Sequence, residues 1–243
     1  MTTQPTGTHG LVSLVGAGPG DPEAVTLRGI ARLRQADVVL YDYLVNPALL
    51  EHVPADAERI CLGHHRTGRT MTQQQVNQRM VDEAMAGRNV VRLKSGDPTI
   101  FGRLVEEVGA LDEAGVEVEV VPGVTAGIAA LSDVVGSMAG FPASPVTLIT
   151  GHERPGKGGP PLDYARLARL PGTLVFYMGV TTAPVWSRSL IEHGRAADTP
   201  VVVVRRVSWP DQTRIATTLA ELPVALQASR IRPPVVVLVG EPA

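Results

Sequence analysis

The chain has 243 residues, of which 44% are hydrophobic and 19% are charged, and its formal net charge is −2. This composition excludes a disordered chain, and the small net charge gives no general attraction to nucleic acid or to an anionic membrane. The single cysteine, Cys61, excludes an internal disulfide framework. No apolar run approaches the roughly 20 residues that span a bilayer. We expect a cytoplasmic α/β protein in which residues 1–10 form a disordered tail rather than a signal peptide.

The first half of the chain alternates predicted strands with predicted helices. Apolar runs that stop at glycine or proline predict strands, and an apolar repeat that follows the N-cap residue Thr26 predicts a helix. The predicted strands are 11–15, 37–41, 89–93 and 116–121, and the predicted helices are 27–36, 73–85 and 104–114. This alternation indicates a mostly parallel sheet with helices on its faces.

The second half shows more strand signals and fewer helix signals. A helix is predicted to open after Gly123, strands are predicted at 146–150, 173–178, 200–205 and 234–239, and residues 152–161 form a loop rich in glycine and proline. We place a domain boundary at Pro122. The expected organisation is an N-terminal α/β domain, 11–122, and a C-terminal α/β domain, 123–243.

The motif Gly16-Ala17-Gly18-Pro19-Gly20-Asp21 directly follows the first predicted strand. Glycines at such a place let the backbone approach a ligand closely, although a tight turn alone also explains them. The motif does not match a dinucleotide fingerprint, because Asp21 replaces the last glycine and a spacer separates the loop from the helix capped by Thr26. No Gly-Lys-Ser/Thr sequence follows, so a phosphate-binding P-loop is excluded as well.

Two further glycine loops follow predicted strands, at 94–103 and at 121–126. The carboxyl ends of parallel strands meet at one edge of a sheet, and ligands of open α/β sheets bind there. Together the three loops predict a ligand pocket at this edge.

Cations dominate the stretch between Glu58 and Asp82, which contains no acidic residue. It predicts either a basic wall that faces an anionic ligand or an ordinary solvated surface; its cations and histidines are Arg59, His64, His65, Arg66, Arg69 and Arg79. Cys61 and His64 have no second pair of ligands, so we expect no metal site. Asp42 follows the second predicted strand, where it is either a general base or a surface carboxylate.

Seven segments resemble, in order and spacing, the tetrapyrrole methylase family and, within it, the uroporphyrinogen-III C-methyltransferases. They are residues 12–21, 36–45, 92–98, 100–103, 120–126, 150–152 and 175–179. The resemblance extends from about Leu11 to Gly240, nearly the whole chain.

This resemblance implies that S-adenosylmethionine binds in a folded conformation between two α/β domains of a homodimer, with S-adenosylhomocysteine as the product. Asp42 is the proton acceptor that the resemblance implies. The implied cofactor contacts are Pro19, Ser95, Gly96, Asp97, Ile100, Thr125, Ala126 and Met178.

The chain departs from the family pattern mainly around the acceptor. His64 and His65 replace a Lys-Arg pair, Tyr43 replaces an arginine, and Leu104 and Val105 replace two glycines. Residues 137–140 replace Leu-Thr-His-Arg, and Ser95 replaces a glycine. These changes remove cations that would bind a polycarboxylate and add apolar bulk.

We therefore expect His64 to act beside Asp42 and the acceptor to be a smaller, less anionic heteroaromatic, such as another tetrapyrrole or an indole-containing metabolite. The expected acceptor contacts are Tyr43, His65, Arg66, Arg103 and Leu104. The alternative is authentic methylation of uroporphyrinogen III to precorrin-2. A nucleotide-dependent oxidoreductase and an inactive cofactor sensor are two further alternatives, against which Asp21 and the retained Asp42, respectively, argue.

Overall fold

The computed structural model describes residues 9–64, 68–134, 145–151 and 162–240. The chain forms two compact units, Met1–Thr125 and Ala126–Ala243, whereas the sequence pattern places the boundary at Pro122. Among the described helices, none has the length and apolar character that crossing a membrane requires.

The described part of the first unit contains seven strands and three helices. The strands are β1 (Val12–Gly16), β2 (Val38–Tyr41), β3 (Glu58–Cys61), β4 (Gly63–His64), β5 (Gly68–Arg69), β6 (Val90–Lys94) and β7 (Val118–Val121). The helices are α1 (Leu27–Leu33), α2 (Gln73–Met85) and α3 (Leu104–Glu113). Five of the strands form a fully parallel sheet in the order β3-β2-β6-β1-β7, and β4 pairs with β5 as a short antiparallel ribbon.

Side-chain caps fix where the helices begin. The hydroxyl of Thr26 accepts a hydrogen bond from the backbone N–H of Gly29 at 3.0 Å, as the sequence predicts. Thr72 forms a capping box with Gln75, so α2 begins at Gln73 and ends at Met85, as predicted. The helix predicted at 27–36 ends earlier, at Leu33.

The parallel sheet is buried on both faces. Helix α1 contributes Leu33 to one core, whereas α2 and α3 contribute Met80 and Leu111 to the core on the opposite face. In the strand order, the connection from β1 runs to β2, towards one edge of the sheet, and the connection from β6 runs to β7, towards the opposite edge. The carboxyl ends of β1 and β6 are therefore a topological switch point, which is where open α/β sheets bind ligands.

The described part of the second unit contains five strands and four α-helices, of which the sequence pattern predicts only the first. The strands are β8 (Val146–Thr150), β9 (Thr173–Tyr177), β10 (Pro200–Arg205), β11 (Thr213–Thr218) and β12 (Val235–Val239). The helices are α4 (Ala126–Val134), α5 (Tyr164–Arg169), α6 (Ala183–Glu192) and α7 (Leu222–Ser229). The sheet order is β11-β10-β12-β9-β8, with only the β8–β9 pair parallel, so the parallel pattern of the first half does not extend here.

A half-buried ion pair between Arg32 and Glu119 links α1 to the edge strand β7. The carboxylate of Glu119 accepts hydrogen bonds on both oxygens from the guanidinium of Arg32, and the hydroxyl of Ser13 donates to it at 2.6 Å. Burial on its own would raise the pKa of Glu119, but the hydrogen bonds from Arg32 and Ser13 outweigh it and hold this pKa below its usual value.

We expect Glu119→Gln to destabilise the protein at neutral pH and to matter little in acid. The pKa of Glu119 is lower in the folded chain than in the unfolded chain, so its stabilisation is present above about pH 4.5 and is lost as the pH falls. Loss of these charge-assisted hydrogen bonds should lower the free energy of unfolding by about 1.5–3 kcal/mol. Urea denaturation at pH 7 and pH 3.5 measures this loss of free energy of unfolding. Glu51→Gln is the control, because Glu51 is exposed. An equal loss at both pH values would contradict this account.

Candidate functional site

Two of the glycine loops are joined by backbone hydrogen bonds at the switch point. The N–H of Gly96 donates to the carbonyl of Gly18 at 2.7 Å, and the N–H of Gly18 donates to the carbonyl of Gly96 at 3.2 Å. The N–H of Ala17 also donates to the carbonyl of Lys94 at 2.7 Å. The loops that follow β1 and β6 therefore form one continuous surface.

Three glycines from three loops pack backbone against backbone at this surface. A Cβ atom added to Gly123 would lie 2.3 Å from the carbonyl oxygen of Gly96 and 2.8 Å from the Cα of Gly16. A Cβ atom added to Gly16 would lie 2.6 Å from the Cα of Gly123. Real Cβ atoms do not approach backbone this closely, so glycine is required at both positions by packing.

Asp97 ties the loop after β6 to the loop after β7. Its Oδ2 accepts a hydrogen bond from the N–H of Gly123 at 2.9 Å, and its Oδ1 accepts from the N–H and the hydroxyl of Thr99 at 2.7 Å and 2.5 Å. The carboxylate thus fixes the shape of two loops and places a negative charge beside them.

We expect Gly123→Ala to lower the free energy of unfolding by about 1–3 kcal/mol, because the added methyl group forces the loops after β6 and β7 apart. Gly109→Ala is a matched control, since a Cβ atom at Gly109 in α3 meets nothing within 4 Å. The control should be neutral or stabilising by about 0.5–1 kcal/mol. Urea denaturation of both variants measures the difference, and equal stabilities would show that the glycine contact is dispensable.

A buried cluster of four charged side chains leads from the core to the sheet edge; we call Asp42, Arg92, Lys94 and Glu107 the charge cluster. Arg92 and Lys94 are two positions apart on β6, so both side chains lie on the face that α2 and α3 cover. Arg92 NH2 lies 2.6 Å from Asp42 Oδ1, and its Nε lies 3.2 Å from Glu107 Oε1. Lys94 Nζ lies 2.5 Å from Glu107 Oε2. Two positive and two negative groups therefore balance inside the unit.

The surroundings shift the pKa values of the two cations of the charge cluster in opposite directions. Burial lowers the pKa of the Lys94 ammonium, and the positive charge of Arg92 adds to that effect. Burial also acts to lower the pKa of Arg92, but the negative charges of Asp42 and Glu107 outweigh it and raise this pKa. The guanidinium therefore remains charged in the core.

The environment of Asp42 differs from the surface alternative that its spacing suggests. Its side chain is 20% exposed and pairs with Arg92, which is completely buried. Sequence reasoning left out Arg92, Lys94 and Glu107 as site residues, although two cations inside an apolar strand are a signal, because such side chains are rarely buried without partners.

The predicted acceptor contacts are only partly within the described residues. His65 and Arg66 lie outside them, and for His64 the structure describes the backbone in β4 but not the side chain. Tyr43 is half-buried, and Leu104 opens α3 and packs partly against the core. The guanidinium of Arg103 pairs with Glu106 at 3.0 Å and 2.5 Å.

Two cations of the basic stretch, Arg59 and Arg79, have hydrogen-bond or ion-pair partners within the first unit. Arg59 donates to the backbone carbonyls of Val53 and Pro54 at 3.0 Å each. Arg79 pairs with Glu58 and Glu83. These two guanidinium groups hold local structure, so at Arg59 and Arg79 the solvated or structural alternative is the better description.

The predicted cofactor contacts lie in both units. Pro19, Ser95, Gly96, Asp97 and Ile100 are half-buried in the loops after β1 and β6, and Thr125 is buried at the end of the first unit. In the second unit, Ala126 opens α4 and packs partly against its core. Met178 follows β9 with a positive φ of 52° and a side chain that is 52% exposed. Such a strained backbone with an exposed apolar side chain is typical of ligand-contacting positions.

The described residues include no group of three or more His, Cys, Asp or Glu side chains arranged to hold a metal ion.

Comparisons with known proteins identify one family. The family model described as Tetrapyrrole (Corrin/Porphyrin) Methylases matches residues 11–223. Siroheme synthase of Hydrogenovibrio crunogenus is 44% identical over 235 residues, which cover 96% of this chain and 49% of that protein. Siroheme synthase 2 of Yersinia pestis is 46% identical over 238 residues, covering 96% of this chain and 48% of the relative. The chain thus spans about half the length of these curated relatives.

Solved structures give the same result. A cobalt precorrin-4 methyltransferase of cobalamin biosynthesis superposes with a TM-score of 0.83 at 32% identity, covering 98% of both chains. Uroporphyrin-III C-methyl transferase from Thermus thermophilus, complexed with S-adenosylhomocysteine, superposes with a TM-score of 0.76 at 37% identity, covering 96% of this chain and 98% of the other.

Proposed function

Since the chain belongs to the tetrapyrrole methylase family and is an S-adenosylmethionine-dependent C-methyltransferase, we propose that its methyl acceptor is uroporphyrinogen III. The observation that carries this proposal is the 44–46% identity, over 96% of the chain, to proteins named siroheme synthase. The Thermus uroporphyrin-III C-methyl transferase supports the same acceptor.

This acceptor differs from the less anionic heteroaromatic that the sequence differences favour. Neither the relatives nor the described residues support an indole-containing acceptor. The cations replaced at residues 65, 139 and 140 lie outside the described residues, and the side chain of His64, where the family has a lysine, is not described either. The family relationship therefore outweighs the local differences. Methylation of uroporphyrinogen III to precorrin-2, which was the alternative from the sequence, becomes our proposal.

The glycine loops supply what a cofactor with a positive charge needs. The glycines at positions 16 and 123 let the loops after β1, β6 and β7 pack backbone against backbone, and Asp97 places a carboxylate beside them. The helix that follows the first loop begins only at Leu27, and Asp21 caps a short turn through the N–H of Glu23 at 2.9 Å. This arrangement offers no helix N-terminus for a pyrophosphate, which favours S-adenosylmethionine over a dinucleotide.

The chain's own residues have two tasks in this reaction. When bound, S-adenosylmethionine supplies an electrophilic methyl group on a sulfonium. The loops after β1, β6 and β7 would hold it beside the acceptor, whose nucleophilic carbon would take the methyl group while the electron pair of the broken carbon–sulfur bond stayed on sulfur. The methylated ring then carries a positive charge that loss of a proton relieves. We propose that the loops position the reactants and that Asp42 accepts this proton.

Calorimetry tests the donor half of the proposal. We expect heat and one-to-one binding on titration with S-adenosylhomocysteine, with a dissociation constant of about 1 μM or below. We expect no heat with NADH, because Asp21 and the late start of α1 leave no phosphate site. Binding of NADH in place of S-adenosylhomocysteine would overturn the proposed function in favour of an oxidoreductase.

A further inference from the structure

We propose that Arg92 is a positioning residue for methyl transfer, because its buried guanidinium fixes the carboxylate of Asp42 at the sheet edge. Glu107 and Lys94 hold that guanidinium in place. The inference rests on the proposed function, since it requires Asp42 to act on the acceptor.

The Arg92 side chain is held by contacts on several sides. Its Nε donates to Glu107 at 3.2 Å, its Nη1 (NH1) donates to the carbonyl of Leu93 at 3.1 Å, and its Nη2 (NH2) donates to Asp42 at 2.6 Å. The guanidinium is planar, so fixing Nε and NH1 also fixes the direction in which NH2 points. The position of the Asp42 carboxylate is therefore set by the sheet and α3 rather than by its own loop alone.

Asp42 is the one member of the charge cluster whose side chain is substantially exposed. The side chains of Arg92 and Glu107 are 0% exposed and Lys94 is 2% exposed, whereas Asp42 is 20% exposed. Burying an ion pair contributes little net stability, because desolvation of the charges offsets their attraction. A buried cluster that ends at one accessible carboxylate therefore fits a role in holding that carboxylate better than a role in stability.

The remaining members of the charge cluster explain how the arginine stays fixed. Glu107 accepts from Arg92, from Lys94 and from the side-chain amide of Gln73 on α2 at 3.1 Å. Its Oε1 accepts from Arg92 on β6 and Gln73 on α2, and its Oε2 accepts from Lys94 on β6. Rotation of Glu107 would break several hydrogen bonds at once, so the anchor of Arg92 is rigid.

A double-mutant cycle tests the inference, with Arg92→Lys and Asp42→Asn measured alone and together. Arg92→Lys keeps the charge but removes the planar fork. We expect it to lower kcat by about 10–100-fold and to change KM by less than about 3-fold. In the Asp42→Asn background the same change should cost less than about 3-fold in kcat, because the group that Arg92 positions is already disabled.

Calorimetry with S-adenosylhomocysteine reports whether each variant is folded. If Arg92→Lys does not bind, the cycle is run with Glu107→Gln, which keeps the size of the side chain and weakens the anchor of Arg92; the same non-additivity is expected. Arg195→Lys is the control, since Arg195 is a buried arginine of the second unit that donates to the carbonyls of Leu170 and Gly172. It should change kcat little.

The outcomes separate the inference from the proposed function. Additive losses in kcat, or an unchanged kcat in Arg92→Lys, would overturn the positioning role of Arg92 alone. Near-normal turnover of Asp42→Asn, or no methylation of uroporphyrinogen III by the unaltered protein, would overturn the proposed function and the inference with it.

Discussion

Asp42→Asn is expected to lower turnover by roughly 10²–10⁴-fold while leaving the affinity for S-adenosylhomocysteine nearly unchanged. The amide is the same size as the carboxylate and its oxygen still accepts a hydrogen bond from Arg92, so the local structure should persist. An amide does not accept a proton at neutral pH, so the proton-transfer step loses its acceptor. Initial rates with uroporphyrinogen III under anaerobic conditions measure the effect.

The same strand provides a matched control for this variant. Asp37 directly precedes β2, at the end of the strand opposite Asp42, and its carboxylate accepts from the N–H of Asn89 at 2.8 Å. Asp37→Asn should leave turnover within about 2-fold of the unaltered protein, because it lies away from the carboxyl edge. Normal turnover in Asp42→Asn would remove Asp42 from the mechanism.

Asp97→Ala is expected to weaken S-adenosylhomocysteine binding by about 10²-fold or more. The change removes the hydrogen bonds that tie the loop after β6 to Gly123 and to Thr99, together with a negative charge. Charge-assisted hydrogen bonds contribute about 1.5–3 kcal/mol each, so losing the inter-loop bond and the charge together accounts for this factor.

Two comparisons show whether the hydrogen bonds or the charge of Asp97 matter more. Asp97→Asn keeps an oxygen acceptor and removes the charge, so a loss as large as that of the alanine variant would assign the effect to charge. Asp163→Ala is the control, because Asp163 caps α5 in the second unit through the N–H of Arg166 at 3.0 Å. Unchanged affinity in Asp97→Ala would exclude the loop after β6 from the cofactor site.

Local sequence patterns predict those elements of the first unit whose structure depends mainly on residues that are close together in the sequence. The sequence pattern predicts the bounds of α2, and the strands β1, β2 and β6 follow from short apolar runs. The glycine loops could be placed at one edge because parallel strands share a direction.

Elements with mixed exposure were not predictable in the same way. Strand β3 (Glu58–Cys61) carries charged, exposed side chains at the sheet edge, and β11 (Thr213–Thr218) is rich in threonine rather than in apolar residues. Both form because a neighbouring strand already offers hydrogen-bond partners. Helix α6 buries only a narrow stripe that includes Trp186, whose ring stacks on Phe176 with ring centroids 4.0 Å apart.

The charge cluster depends on contacts that no local pattern contains. Arg92 meets Asp42 from 50 positions away and Glu107 from 15 positions away. Within β6, Arg92 resembles an exposed residue on one face of a strand, and only the arrival of α3 turns it into a buried partner of Glu107. Asp42 was therefore visible in the sequence as a candidate, and the two cations within β6 indicate that buried partners exist, but only the fold shows that these partners are Asp42 and Glu107.

Methyl transfer to uroporphyrinogen III is the decisive measurement of the acceptor. The protein is incubated anaerobically with methyl-labelled S-adenosylmethionine and equal amounts of uroporphyrinogen III and an indole-containing acceptor, and the products are separated and weighed by mass spectrometry. We expect label in the tetrapyrrole, one S-adenosylhomocysteine for each methyl group added, and loss of both in Asp42→Asn. Label in the indole acceptor, with none in the tetrapyrrole and with S-adenosylhomocysteine binding intact, would contradict this expectation.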